Sequence, residues 1–105
     1  MRFLIVSKPK FMVPPELGLS LIDAFTAFID KNKAAGKLEA AWSFTNTQGG
    51  GGIINVDSLE ELDSLLAEYP YGPFNENEIY PLVDLKESMQ RVKQVVQMRA
   101  QQMSG

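Results

Sequence analysis

Apolar and polar residues change period several times along this chain, and each change marks an element. Phe3 to Ser7 is short, apolar on both parities and β-branched toward its end, which predicts a first strand. Pro9 withholds a ladder donor, so Lys8 to Val13 reads as a loop. Leu17, Leu21, Ile22, Phe25, Phe28 and Ile29 then recur three and four residues apart, the stripe of an amphipathic helix. Pro14-Pro15-Glu16 suits its start, Lys31 and Lys33 its negative end, and Gly36 a left-handed cap. From Lys37 to Thr47 the period falls to two. Leu38, Ala40, Trp42 and Phe44 share one face of this second strand, and Glu39, Ala41, Ser43 and Thr45 the other. Asn46 to Gly52 predicts a hairpin turn, because glycine permits positive φ.

Ile53 to Val56 is the third strand. Ser58 and Glu61 then form a capping box at the head of a second helix, whose buried stripe is Leu59, Leu62, Leu65 and Leu66. Tyr69-Pro70-Tyr71-Gly72-Pro73-Phe74 ends that helix in an aromatic loop. Glu78 to Val83 is a fourth strand, and Pro81 within it points to an edge or a bulge. Lys86 to about Gln102 predicts a third helix with a narrow seam of Leu85, Met89, Val92, Val96 and Met103, close to heptad spacing.

The order β-α-β-β-α-β plus a C-terminal helix is the ferredoxin-like arrangement of an α+β fold: two helices over one face of a four-stranded antiparallel sheet. Length argues for a single domain over 1–105. The first and third strands are expected in the middle. Both are apolar on both parities, so the face away from the helices also needs cover. A second copy of the same sheet supplies it, which predicts a homodimer of the dimeric α+β barrel type, with larger rings as an extension. The seam on the last helix, 85–103, makes it a candidate for oligomerisation.

These elements carry a resemblance to the muconolactone isomerase family. Ile54-Asn55-Val56-Asp57-Ser58-Leu59-Glu60-Glu61-Leu62, then Leu65-Leu66, the loop Tyr69 to Phe74, and Ile79-Tyr80-Pro81-Leu82 are similar to that family's strand, helix start, Pro-x-x-Pro-aromatic loop and closing strand. The resemblance implies a dimeric α+β barrel that assembles into rings, and a reaction that moves one proton on a small unsaturated lactone or cyclic acid without a cofactor. The chain departs from the family pattern in having no histidine, in its four-glycine run and in a longer last helix.

Composition narrows the chemistry. With neither Cys nor His, disulfides, thiolate metal sites and every Ser-His or Cys-His arrangement are excluded. Acid–base work falls to carboxylates, Lys, Tyr or a bound cofactor, and no metal is expected. The net charge is −3 with no basic stripe, which argues against nucleic acid. The apolar start is too short for a membrane span or signal peptide, so the expected location is cytoplasmic.

Glu39, on a sheet face that becomes covered, is a candidate base for a proton on carbon next to a carbonyl. The alternative is a surface carboxylate, solvated or paired with Arg2 or a Lys. Tyr71 is a candidate catalytic phenol, orienting the substrate oxygen. Tyr80 is a second phenol for that task, and Phe74, Trp42 and Ser43 are candidate substrate contacts; packing of the loop and an interface is the competing role for the rings. Lys8, with Lys10 nearby, is a candidate for holding a ligand carboxylate. Gly49 to Gly52 lacks the Lys-Ser/Thr ending and following helix of a phosphate loop, which leaves the turn reading. Three functions fit: an isomerase-like enzyme, a non-catalytic ligand-binding or scaffold protein, and a cofactor-free monooxygenase on the same barrel.

Overall fold

The computed structural model describes residues 1–104. The elements follow the expected order: β1 (Arg2–Pro9), a 3-10 turn (Pro15–Leu17), α1 (Gly18–Ala34), β2 (Leu38–Ser43), β3 (Gly50–Asn55), α2 (Leu59–Ala67), β4 (Asn75–Leu82) and α3 (Leu85–Ser104). The sheet is antiparallel in order β2-β3-β1-β4, so β1 and β3 are central, as their two-sided apolarity requires. Pro81 lies on edge strand β4, where its missing N–H costs no ladder bond on the open side.

The inner face of the sheet, toward the helices, is set by β1. Phe3 and Ile5 point inward and are buried with Leu38, Ile54, Val56, Leu62 and Leu65. Phe28, Ile29, Ala41 and Leu66 pack partly against them. Leu21 and Phe25 are half-buried on α1, whereas Leu17 and Ile22, although in the same periodic stripe, are exposed. The predicted stripe is therefore wider than the surface α1 buries.

The glycine run departs from expectation. Only Gly49 belongs to the turn, with φ +111°. Gly50, Gly51 and Gly52 are in β3, paired with Ser7, Val6 and Ile5 on one side and with Ser43, Trp42 and Ala41 on the other. Central pairing on both edges outweighs glycine's low strand propensity. The strand is glycine-rich because neighbours occupy the space. A Cβ on Gly50 would stand 2.2 Å from Trp42 O, and one on Gly51 would stand 3.0 Å from Trp42 Nε1.

A bulge between Leu38 and Ala40 is the second departure. Leu38 pairs with inward Ile54, yet Ala41 pairs with inward Gly52, so the extra residue moves the later side chains of β2 to the opposite faces. The expected sharing of one face by Leu38 and Trp42 is corrected: Trp42 is in register with Gly51 and outward-facing Val6, with its indole over Gly51.

The Ser58 capping box forms as predicted. Glu61 N–H donates to Ser58 Oγ at 3.1 Å and Asp57 N–H donates to Glu61 Oε2 at 2.9 Å. The Asp57 amide holds the Glu61 carboxyl below its usual value, with Lys37 assisting. Ser58→Ala should cost about 1 kcal/mol in chemical denaturation. A carboxyl depressed in the folded state stabilises above its unfolded value, 4.5, and that stabilisation is lost as pH falls through the folded value. Glu61→Gln should therefore flatten the acid limb of the stability profile, leaving its neutral-to-alkaline shape unchanged.

Candidate functional site

A cleft of about 1050 Å³ lies between the inner face of the sheet and the helices. Its position follows from a gradient along that face. At one end Phe3, Leu38 and Ile54 fill the space against the helices. At the other the inward positions are Ser7, Gly50, Gly52, Ala41 and Ser43, all small, and the space stays open. Phe25 and Phe28 of α1, with Tyr69 and Tyr71 after α2, form the aromatic wall. Their rings pack edge-on or tilted, with centroids 5.4 Å apart for Phe25–Tyr71, 5.8 Å for Phe28–Tyr69 and 6.1 Å for Tyr69–Tyr71. Lys10, Phe11 and Met12, all exposed, stand at the mouth.

A polar cluster sits in this apolar cleft. Ser7 Oγ and the Tyr69 hydroxyl are 2.9 Å apart, and Asn75 Nδ2 donates to Ser7 Oγ at 3.0 Å and to the Tyr69 hydroxyl at 3.3 Å. Burial pushes the Tyr69 phenol above its ordinary value, outweighing the hydrogen bonds that pull it down. A phenol is neutral well below about pH 10 and carries a proton it can donate to an oxygen in the cleft. Across the β1–β4 ladder from Ser7, the Oδ1 of Asn77 is buried without a partner. Among the described residues, no carboxylate lines the cleft and no trio of metal-ligating side chains converges.

Comparison with solved structures matches this fold to muconolactone isomerase, at a TM-score of 0.73 and 20% sequence identity over 80% of this chain and 90% of that one. The fold is that of muconolactone isomerase. A second similar structure is 5-chloro-2-hydroxyhydroquinone dehydrochlorinase from Burkholderia phenoliruptrix in complex with 2,5-dihydroxybenzoquinone. It matches at a TM-score of 0.63 and 19% identity, over 83% of this chain and 98% of that one. No family model and no curated protein matches the sequence.

Within the muconolactone isomerase fold, the residues singled out from sequence divide between the two faces of the sheet. Tyr71 and Ser43 line the cleft, and Trp42 borders it. Glu39 is on the opposite face. Its carboxylate accepts from Arg2 Nη2 at 2.7 Å and from Asn55 Nδ2 at 3.3 Å, and Arg2 holds its pKa below the usual value. This is the ion pair that the surface reading of Glu39 expects. Lys8 is exposed, in register with Glu76, on the face away from the cleft. Tyr80 is in register with outward Leu4, and its hydroxyl donates to Glu78. Phe74 contributes its carbonyl, which accepts from the amides of Lys10 and Phe11 at 2.8 Å and ties the end of β1 to the aromatic loop.

Ser7, Tyr69 and Asn75 were not among those residues. Ser7 carried a signal: it is polar at the inward parity of a strand whose other inward residues are Phe3 and Ile5. Asn75 and Tyr69 lie far from it in sequence, and only the fold joins them.

A phenol raised in the folded state stabilises below its unfolded value, 10.0, and that stabilisation is lost as pH rises through the folded value. Tyr69→Phe should therefore lose stability less steeply than the parent above about pH 10 in denaturant titrations, while the acid limb is unchanged.

Proposed function

We propose that the protein is a cofactor-free enzyme of the muconolactone-isomerase type, which binds a small unsaturated lactone or cyclic acid in the inner cleft and relocates one proton on it. The observation that carries this reading is the Tyr69–Ser7–Asn75 cluster within a largely apolar, aromatic-walled cleft. Removing a proton from carbon beside a carbonyl places negative charge on that oxygen. A neutral phenol held in place beside that oxygen stabilises such charge. Tyr71 and Phe25 flank the ring, and Lys10 at the mouth attracts a carboxylate. Glu39 is not assigned the proton, because it faces away from the cleft. Lys10 stays an ammonium on the carboxylate; Lys33, the other amine of the lining, takes the proton from carbon in its uncharged form and returns it to the carbon at the other end of the shifted double bond.

Proton exchange tests this directly. In heavy water, nuclear magnetic resonance should show deuterium entering next to the carbonyl of one member of a panel of unsaturated lactones and cyclic acids. Tyr69→Phe should slow that entry about 100-fold, and Glu39→Gln should leave it unchanged. Gly52→Val, which plants a branched side chain on the cleft floor beside Leu38 Cδ1, should abolish it. Exchange at the parent rate in Tyr69→Phe would overturn the assignment.

One observation favours a second reading, ligand binding without turnover: among the described residues the cleft lining contains no carboxylate, and the chain has no imidazole. Chemical-shift changes confined to cleft residues, with no label entering any ligand, would select it.

We also infer a homodimer through the outer sheet face. Support comes from Leu4, Val6, Ile53 and Trp42, apolar side chains on the face the helices leave uncovered. Ile53→Lys should shift the sedimenting mass down to one chain's 11.7 kDa if this face is the contact.

A further inference from the structure

Among the described residues, no other element packs against the C-terminal helix α3, and none of its own residues is buried. Its 20 residues make an arm about 30 Å long, and the molecule is 70 Å in its longest dimension against 29 and 23 Å in the others. The arm is not sequence without purpose. Leu85, Met89, Val92, Val96, Arg99 and Met103 step four and three residues apart, and five of these six are apolar. A helix stripped of tertiary contact is marginal in water, so this seam calls for a partner.

Charge narrows the partner. The chain has 10 basic and 13 acidic residues; Lys86, Arg91, Lys93 and Arg99 are four of the former, and Glu87 is the acid of α3. Residues 1–84 are left with six basic and twelve acidic side chains. A basic arm thus extends from an acidic body. Two arms side by side would repel, and a parallel pair would set Arg99 against Arg99 in the seam. A lipid surface is a weaker match, because the arm has no Trp, Phe or Tyr to seat at an interface.

The body presents a complementary ridge on α1. Leu19 and Ile22 are 81% and 52% exposed, one turn apart. Glu16 and Asp23 flank them, Asp30 follows two turns later, and α1 has no basic residue before Lys31. The ridge is apolar in its centre and acidic around it. The arm does not reach the ridge of its own chain. Only Val83 and Asp84 separate β4 from α3, and Asp84 fixes the exit direction, accepting from Glu87 N at 3.1 Å through Oδ2 and from Ser88 N at 2.9 Å through its carbonyl.

The geometry points to docking in trans: α3 of one copy lies along the Leu19–Ile22 ridge on α1 of a second copy, its seam on the apolar centre and Arg91, Lys93 or Arg99 beside Glu16, Asp23 and Asp30. This contact is separate from the outer sheet face and rests on no part of the catalytic reading. Since α1 also carries Phe25 and Phe28 of the cleft wall, the docked arm braces the site of its neighbour.

The absence of cysteine makes a clean test available. Gln97→Cys, on the polar side of α3, takes a spin label, and the labelled protein is mixed with isotope-labelled wild type. Selective loss of amide signal is expected along α1 around Leu19 and Asp23 of the wild-type copy. Raised salt should weaken it, and adding Val92→Asn with Val96→Asn to the spin-labelled chain should remove it. Signal loss confined to α3 would mean arm-to-arm pairing and would overturn the proposal, as would loss elsewhere on the body. No loss at all overturns it too, and phosphatidylglycerol vesicles that then bind wild type but not the seam variant would assign the arm to lipid.

Discussion

The inner face of the sheet cannot be filled at both ends, and that packing constraint shapes the rest of the molecule. β1 sets Phe3, Ile5 and Ser7 inward in turn, while β3 answers with Ile54, Gly52 and Gly50. Side-chain volume falls along both strands together. Where it is large, the helices close down and a core forms around Leu62 and Leu65. Where it is small, α1 and the sheet stand apart and the cleft remains. A core and a cleft thus come from one surface, with no separate domain or loop insertion needed.

The glycines are the means to that end on three fronts. Gly52 lowers the cleft floor beside Leu38, and Gly51 makes room for the Trp42 indole on the outer face. Gly49 takes the left-handed conformation that closes the turn. Polar groups then concentrate where the apolar filling stops. Ser7 would be a poorly satisfied hydroxyl in the core, but at the cleft it meets Tyr69 and Asn75. The aromatic wall helps to bury that cluster, and burial raises the phenol's pKa above its ordinary value.

Charge is distributed as unevenly as volume. Acidic residues outnumber basic ones two to one on the body, whereas basic residues outnumber the single acid on the C-terminal arm, so the two parts carry opposite net charge. The outer sheet face and the arm are therefore different surfaces with different chemistry: one apolar and broad, the other narrow and rimmed with charge.

Element order, the central place of β1 and β3, the capping box at Ser58 and the seam of α3 were legible in the sequence. Each follows from local periodicity or from a side chain reaching three or four residues along the backbone. The face of Trp42 was not legible, because a single bulged residue near Glu39 reverses every later position in β2, and alternation by itself does not reveal a bulge. The sequence offered pairing of Glu39 with Arg2 as one alternative among several, because the two lie 37 residues apart and only the fold brings them together. The glycine run read as a turn because its neighbours in space were hidden; backbone sterics from β1 and β2 make it a strand. Likewise Ser7, Tyr69 and Asn75 lie up to 68 residues apart and become one cluster only when β1, β4 and the loop after α2 converge. The sequence by itself determined what is periodic and local; tertiary structure decided which side of the sheet each functional group faces, because facing depends on register between strands distant in the chain.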